Sequence, residues 1–270
     1  MLEQFSERRS YGPVQNTRFV FKERRLAVAT LHSPRQNRLL AALPLADYAR
    51  LLPNLEPVRL PMGWAVHGAG EQEKYLYFLT SGIVSRFYLT ENGASAAFAL
   101  TGSEGVIGVS LFLDAGIAQS DAVVVATGYA YRLRPELLKQ EFTQCGALPH
   151  LLLRYTQTLI NQSQQSAVCN RHHNLEQQLC CWILSCLDRL SSNTLNMTQE
   201  LIANMLGVRR EGVTDAAGKL QKLGLIHYRR GHITVIDRPK LEAHTCECYV
   251  VVKRAFDRLT TSPGEHFSNS

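Results

Sequence analysis

Residues 197–235 read MTQELIANMLGVRREGVTDAAGKLQKLGLIHYRRGHITV, and the order of helix and turn signals in this stretch decides the fold. Thr198 stands where an N-cap is expected, and the apolar residues after it have helical spacing. Gly207 is placed to end that helix, because glycine adopts a left-handed conformation without a Cβ clash. A second helical pattern covers 209–223. The stretch therefore predicts two helices joined by a tight turn.

A short β-hairpin is predicted directly after the second helix. Residues 223–226 close the helix and start a strand, and residues 229–232, Arg-Arg-Gly-His, form a tight basic turn. Residues 233–236 alternate in polarity as a returning strand does. The whole stretch is thus predicted to be a helix-turn-helix followed by a β wing.

The polar face of the second helix predicts contact with nucleic acid. Arginine and glutamate near a helix N-terminus suit the major groove, where guanine offers paired acceptors and cytosine a donor. The predicted base contacts are Arg209, Arg210, Glu211, Thr214 and Asp215. The predicted phosphate contacts are Thr198, Gln199, Lys219, Arg230 and His232. A solvated helix pair without a ligand is the alternative, and the ordered succession of cap, turn, helix and wing argues against it.

This stretch resembles the DNA-binding domain of the Crp–Fnr superfamily of bacterial transcription regulators, and the resemblance extends roughly over 38–241. It implies an α+β protein with an N-terminal double-stranded β-helix (jelly-roll) sensor barrel, a long dimerisation helix and a C-terminal winged helix-turn-helix. By resemblance, Arg210 and Glu211 match the first two base-reading positions of the recognition helix. Asp215 stands at the third such position, which is often arginine, so the resemblance does not carry over the family's best-known operator.

Short strands separated by glycines are predicted for the sensor barrel, which we assign to 34–146. The strands are predicted at 75–79, 83–89, 94–100 and 122–133. The pair Asn92-Gly93 favours a tight hairpin. By resemblance, the apolar run ending at Leu79 leads into a family hairpin at Gly82.

The expected ligand pocket lacks the residues that hold a cyclic nucleotide. In relatives with this activity, a Gly-Glu pair meets the ribose and an arginine about ten residues later binds the cyclic phosphate. Here Val109 and Ser110 follow Gly108, and residues 119–121, Gln-Ser-Asp, stand where the arginine would fall. A buried phosphate without an arginine or a helix N-terminus is poorly satisfied. We predict that neither cyclic AMP nor cyclic GMP binds, and that the effector, if there is one, is another small molecule.

A long helix is predicted over 147–172, and we expect it to form a dimer. Its seam, with three- and four-residue spacing as in coiled coils, is Leu148, Leu152, Tyr155, Leu159, Gln162, Ser166 and Cys169. A two-fold protein would read a pseudo-palindrome with half-sites about one helical turn apart. The DNA-binding domain is assigned to 173–240, a C-terminal helix and tail to 241–270, and a flexible basic extension to 1–33.

Composition sets the class and the compartment. The 270 residues are 45% hydrophobic with a net charge of +6, which fits a globular protein with an acidic partner such as nucleic acid. No apolar stretch is long enough for a membrane span, and the N-terminus does not resemble a signal peptide. The seven cysteines begin at Cys145, and their odd number predicts free thiols in a reducing cytoplasm. Their position also argues against an N-terminal iron–sulfur cluster, and His67, the one histidine over 33–149, is expected in a turn rather than on a haem.

The last motif is the pair Cys246 and Cys248, which with a histidine nearby could ligate zinc. A second well-spaced pair is lacking, although Cys169, His172 and His173 could meet them in space, and we predict no metal site and no cofactor. No catalytic residues are predicted, since a cupin-like enzyme needs a cluster of histidine and glutamate on neighbouring strands. The expected partners are double-stranded DNA, a second copy of the chain, RNA polymerase and an unknown effector. The alternative is a small-molecule-binding signalling module whose helix-turn-helix mediates protein contacts.

Overall fold

The structure is a computed structural model that describes residues 33–113 and 116–260. The predicted basic extension, apart from Ser33, and the predicted tail from residue 261 onward lie outside the described residues.

The N-terminal half is a sheet flanked by short helices. It begins with α1 (Arg38–Ala41) and α2 (Leu45–Leu51). The strands are β1 (Glu56–Leu60), β2 (Ala65–His67), β3 (Leu76–Leu89), β4 (Ser95–Thr101), β5 (Val106–Ile107) and β6 (Asp121–Leu133), with α3 (Ser110–Leu113) before β6. Their order is β1-β6-β3-β4, with β2 also on β6 and β5 also on β3, and every pairing is antiparallel. Among the described residues this path does not close on itself, so the sensor is a sandwich of bent strands rather than a closed barrel.

Both faces of β3 are buried at its start, which explains its unbroken apolar sequence. Leu76 and Phe78 pack with the surrounding helices, whereas Tyr77 and Leu79 point to the opposite face and pack with Leu60 of β1. Alternate residues of a strand point to opposite faces, so a strand covered on both sides needs apolar residues at every position.

Gly82 does not separate two strands, and the prediction of a hairpin there is wrong. It lies inside the 14-residue β3, at φ +80°, where the register with β6 shifts. Gly128 of β6 crosses it closely: a Cβ on Gly128 would lie 2.1 Å from the carbonyl oxygen of Ser81. The hairpin predicted at Asn92-Gly93 is confirmed, and it joins β3 to β4.

The long helix α5 (Ala147–His172) follows α4 (Pro135–Thr143), and it packs against its own chain. The predicted dimer seam is therefore wrong as a partner-facing surface. Leu148, Leu152 and Tyr155 are completely buried in the same apolar cluster as Phe78. Ser166 donates to the carbonyl oxygen of Phe98 in β4. The remaining seam residues, Leu159, Gln162 and Cys169, are also buried within the chain.

The C-terminal half contains the predicted winged helix-turn-helix. Its elements are α6 (Leu175–Leu187), β7 (Thr194–Asn196), α7 (Gln199–Leu206), α8 (Arg210–Lys222), β8 (Ile226–Arg229) and β9 (His232–Val235), and the three strands pair in the order β7-β9-β8. Two further helices, α9 (Arg238–His244) and α10 (Glu247–Asp257), complete the described chain, and α10 runs beside α5. The predicted α+β class is confirmed.

The apolar core of this half continues into the sensor sheet. Ile83, Leu100 and Val125 of the sheet belong to the same buried cluster as Trp182 and Met205. The sensor half also has buried clusters of its own around Phe78 and Leu79, so the two halves are joined by one apolar cluster but do not share a single core.

We expect Gly128→Ala to lower the free energy of unfolding by about 1–3 kcal/mol, because both backbones at the crossing are fixed and the new methyl group has no space. Thermal or urea unfolding measures this. The matched control is Gly218→Ala on α8, where a Cβ meets nothing within 4 Å. That change should stabilise the helix by about 0.8–1 kcal/mol. Equal effects of the two substitutions would contradict the described crossing.

Candidate nucleic-acid interface

The first helix of the motif, α7, begins and ends as predicted. The hydroxyl of Thr198 accepts from the backbone N–H of Leu201 at 3.2 Å, so it caps the helix. Gly207 has φ +67° and ends it, and the N–H of Val208 returns to the carbonyl oxygen of Ala203 at 3.0 Å. These local hydrogen bonds fix the angle at which the chain enters the second helix.

The second helix, α8, has one buried and one exposed face. Val213, Ala216, Ala217 and Leu220 face the core, as predicted. The five predicted base contacts, Arg209, Arg210, Glu211, Thr214 and Asp215, are all exposed. From Arg210 to Asp215 they occupy the first turns of α8, and Arg209 is its N-cap residue. The exposed face therefore presents two guanidinium groups, two carboxylates and a hydroxyl to solvent.

Several side chains of the predicted interface are already paired within the protein. The ammonium group of Lys219 lies 2.6 Å from a carboxylate oxygen of Glu176 on α6, and that hydrogen bond raises the pKa of Lys219. The hydroxyl of Thr214 donates to the side-chain oxygen of Gln199 at 3.0 Å, which links the starts of α7 and α8. Lys219 thus lies at the edge of the exposed face, on the side of α6.

The wing ends in a two-residue turn formed by Arg230 and Gly231. Their φ values are +50° and +82°, and the type I′ turn of a tight hairpin requires positive φ at both central residues. The hydroxyl of Tyr228 in β8 donates to the carbonyl oxygen of Met197 at 3.2 Å, so the wing is held to the start of α7. Partial burial raises the pKa of Tyr228. The Nδ1 atom of His232 lies 2.6 Å from the side-chain oxygen of Asn196.

An open cleft of about 460 Å³ lies between the two helices and the wing. It is lined by Thr198, Gln199, Glu200, Arg210, Tyr228, Arg230 and Gly231. Three of the predicted phosphate contacts and one predicted base contact therefore meet at one concave surface. Lys219 and His232 do not line it.

The opposite end of α7 packs on the sensor sheet. The hydroxyl of Ser95 in β4 donates to the carbonyl oxygen of Asn204 at 3.1 Å, and a Cβ on Gly207 would lie 3.1 Å from the Cβ of Ala96. A buried ion pair also joins the halves, since Nε of Arg189 lies 2.7 Å from a carboxylate oxygen of Glu104. These contacts leave the cleft and the exposed face of α8 open.

The sensor stretch that matches the family's nucleotide pocket is contacted by a carboxylate from another part of the sensor. Glu73 is buried and accepts hydrogen bonds from the backbone N–H and the hydroxyl of Ser110, at the start of α3. His67, expected in a turn, is instead the buried last residue of β2, and its Nε2 lies 3.2 Å from Glu73. Burial lowers the pKa of His67. The buried Arg86 donates to the carbonyl oxygen of Val106 at 3.0 Å.

Four possible metal ligands come together at the end of α5, a meeting that the sequence left open when no metal site was predicted. The donor atoms of Cys169, His173, Cys246 and Cys248 lie within 4.8 Å of one another. His172, considered from the sequence as a ligand, is exposed and is not part of this group. The signal available was a Cys-X-Cys pair together with Cys169 and His173 at i and i+4, which places both on one face of a helix.

Two general properties follow from the described residues. None of the described helices combines the length and the apolar character needed to cross a bilayer. All seven cysteines are free thiols, as their odd number predicted.

Comparison with known proteins identifies the C-terminal half. Residues 177–244 match the family model described as the Crp-like helix-turn-helix domain. The chain is 25% identical over 188 residues to "Electron transport regulator A" of Shewanella oneidensis, covering 66% of this chain and 74% of that protein. It is 22% identical over 200 residues to the "CRP-like cAMP-activated global transcriptional regulator" of Mycobacterium tuberculosis, covering 72% and 89%.

Solved structures of low sequence identity share the fold. A transcriptional regulator of the crp/fnr family from Eubacterium rectale has a TM-score of 0.62 at 19% identity, covering 77% of this chain and 98% of that one. FixK2 from Bradyrhizobium japonicum has a TM-score of 0.61 at 16% identity, covering 71% and 98%. The proteins from Shewanella oneidensis, Mycobacterium tuberculosis and Eubacterium rectale are named as regulators.

Proposed function

We propose that this chain is a regulator of the Crp–Fnr type that binds DNA sequence-specifically and acts as a dimer on a pseudo-palindromic operator. The observation that carries the proposal is the exposed face of α8. Its first turns present Arg210, Glu211, Thr214 and Asp215 beside the open cleft that the wing borders. An α-helix with such a face fits the major groove. In this proposal the chain has no enzymatic activity, it works in the cytoplasm, and RNA polymerase is its downstream partner.

Base readout is assigned to the first turns of α8. The guanidinium group of Arg210 can donate two hydrogen bonds to the O6 and N7 acceptors of a guanine, and Arg209 can do the same nearby. Glu211 and Asp215 can accept from the N4 amino group of cytosine. An acidic Asp215 disfavours the guanine that an arginine would read there, so the operator differs at that base pair. Thr214 reaches a base edge only by exchanging its hydrogen bond with Gln199.

Phosphate contacts are assigned to the cleft and its rim. Thr198, Gln199 and Arg230 line the cleft, and His232 stands on the wing strand beside it. Arg230 carries a permanent charge at the tip of the wing, where it can follow the backbone of the duplex. We also assign a phosphate contact to Lys219, whose ammonium group would be shared with Glu176.

The dimer is assigned to the outward face of α5, because the inward face is covered by the sensor. The exposed residues of this helix repeat at four- and three-residue intervals: Leu153, Gln157, Ile160, Gln164, Ala167 and Arg171. Leu153 and Ile160 are 49% and 46% exposed, which is high for such side chains. From Leu153 to Ala167 the stripe carries no charged side chain, so two copies can face each other there without like-charge repulsion. A second copy of α5 therefore fits this stripe as a coiled-coil partner.

We assign no cyclic-nucleotide binding to the sensor. The N-terminus of α3 is already capped by the Glu73 carboxylate, and a second anion there would be repelled. Arg86 is engaged with Val106, and Gln119 to Asp121 supply no cation at the matching positions. If the sensor binds an effector, we propose that it is a small molecule other than a cyclic nucleotide.

The alternative function is that of a signalling module whose helix-turn-helix contacts proteins. It is compatible with the same fold, and the two functions predict different affinities for DNA. It requires no salt-dependent DNA binding and no preferred sequence. Selection of bound fragments from a random-sequence DNA pool separates the two, since a recovered consensus with two related half-sites supports the regulator and a pool without consensus supports the module.

We expect Arg210→Ala to weaken binding to the selected operator by about 1–3 kcal/mol and to relax the preference at one base pair of each half-site. Lys219→Ala should weaken binding to all sequences alike and reduce the salt dependence, because it removes a phosphate contact. Fluorescence anisotropy with operator and random duplexes over a range of salt concentrations measures both. Arg59→Ala, which removes an exposed arginine of β1, is the control and should change neither. Equal losses by Arg210→Ala on operator and random DNA would contradict base readout.

We expect Ile160→Asp to convert a dimer into monomers, because each two-fold contact would bury two facing carboxylates. Sedimentation velocity gives the mass, and circular dichroism verifies the fold. Leu45→Asp, at a 73% exposed apolar residue of α2, is the matched control and should leave the dimer intact. A wild-type monomer on operator DNA, or an Ile160→Asp dimer, would refute the assigned surface.

We expect no change in melting temperature with cyclic AMP or cyclic GMP. A ligand at a hundred times its dissociation constant stabilises the folded state by about 2.7 kcal/mol, which raises the melting temperature by several degrees. The cAMP-activated relative from Mycobacterium tuberculosis serves as the positive control. A rise of that size in this chain would overturn the pocket argument.

A further inference from the structure

The cluster at the end of α5 brings together four side chains from two distant segments. Cys169 and His173 lie one helical turn apart at the C-terminal end of α5. Cys246 immediately precedes α10, and Cys248 lies in its first turn. The three thiols are buried, His173 is partly buried, and all four donor atoms lie within 4.8 Å of one another. Such a set of donors has the composition of a structural zinc site.

The distances within the cluster fit one tetrahedral ion. The sulfur atoms of Cys169 and Cys246 are 3.6 Å apart, and the sulfur of Cys248 is 3.5 Å from Nδ1 of His173. Zinc bonds of ~2.3 Å to sulfur and ~2.0–2.1 Å to nitrogen at tetrahedral angles separate such donors by ~3.8 Å and ~3.5 Å. A disulfide would instead need ~2.05 Å between sulfurs. An iron–sulfur cluster places several atoms between its ligands, and this spacing leaves no room for them.

We propose that Cys169, His173, Cys246 and Cys248 bind a single zinc ion that fastens the C-terminal helix to the end of the long helix. Three thiols lose their protons on binding, and three thiolates with a neutral imidazole give the zinc site a net charge of −1.

The groups around the cluster orient the ligands as metal sites require. Nε2 of His173 lies 3.3 Å from a carboxylate oxygen of Glu247, which leaves Nδ1 directed at the cluster. Histidine ligands commonly hold their second nitrogen against a carboxylate in this way. Gln165 donates to the sulfur of Cys248 at 3.0 Å, a bond that stabilises a thiolate. The side chain of Gln178 donates to the carbonyl oxygen of His173 at 2.8 Å and fixes the backbone there.

The zinc site has a defined place in the architecture. His173 is the C-cap residue of α5, and the next residue, Asn174, caps α6 with a capping box. The ion would therefore join the junction between the long helix and the DNA-binding half to α10, which is separated from the wing by α9. Because zinc-binding free energy adds to folding free energy, removal of the ion should loosen this junction first. The inference rests on the donor geometry and not on the proposed DNA binding.

The test is the zinc content of the full-length chain purified under reducing conditions without added metal, measured by plasma mass spectrometry. We expect about one zinc per chain. Cys248→Ala should abolish it, whereas Cys186→Ala, which removes a completely buried thiol of the same size outside the cluster, should retain it. Cys181→Ala should also retain zinc, although Cys181 packs against the cluster. Loss of zinc in Cys181→Ala but not in His173→Gln would overturn the assigned ligand set.

Stripping the wild-type chain with a chelator keeps the test informative where a variant fails to fold. Cobalt(II) added to the stripped chain should give the intense absorption bands of tetrahedral thiolate coordination, and zinc should displace it and restore the melting temperature. Octahedral cobalt spectra, iron in place of zinc, or a wild-type chain that takes up neither added metal would overturn the proposal. DNA affinity is measured separately on the same samples, so that a failure of DNA binding with intact zinc, or the reverse, identifies which proposal is wrong.

Discussion

The hydroxyl of Tyr155 makes the contact on which the arrangement of the long helix depends. It is completely buried, lies 3.1 Å from the hydroxyl of Thr101 and donates to the carbonyl oxygen of Val106 at 3.1 Å, and burial raises its pKa. Gly105 leaves room for the ring, since a Cβ there would lie 2.3 Å from it. A buried phenol without partners would cost about 1–3 kcal/mol, so this set of contacts fixes the rotation of α5 about its axis. This rotation determines which side of α5 is exposed to a second copy. It also determines where Cys169 and His173 lie at the C-terminal end of the helix.

Local interactions explain why the winged motif could be predicted from the sequence. The cap at Thr198, the left-handed Gly207 and the turn at Arg230 and Gly231 each depend on residues a few positions apart. Short apolar repeats likewise predicted the buried face of α8. The family resemblance added the antiparallel sensor domain and its place before the long helix, which periodicity alone would have left open, but it implied a barrel where the structure has a sandwich.

The failed predictions depended on contacts between distant residues. The long helix α5 carries two stripes of similar spacing, and contacts with distant residues, such as that of Tyr155 with Val106 49 residues away, decide which stripe is buried. Gly82 looked like a strand end because its close approach to Gly128 is invisible in the sequence. The thiols of Cys169 and Cys246 are 77 residues apart, so no spacing rule predicts that they meet. The exposed face of α8 was predictable, but the pairing of Lys219 with Glu176 was not.

The wing turn carries a further implication for how this sequence tolerates change. Arg230 holds a left-handed backbone at φ +50°, a conformation that costs most side chains about 1–2 kcal/mol and that asparagine or glycine adopts more easily. A glycine at residue 230 would relax the hairpin and raise the stability of the isolated wing. The chain instead keeps an exposed cation at the turn of the wing, so at this residue the preference of the backbone for glycine opposes the retention of a positive charge. Directed evolution for thermal stability alone should therefore replace Arg230 early, while selection that also demands occupancy of DNA should retain it.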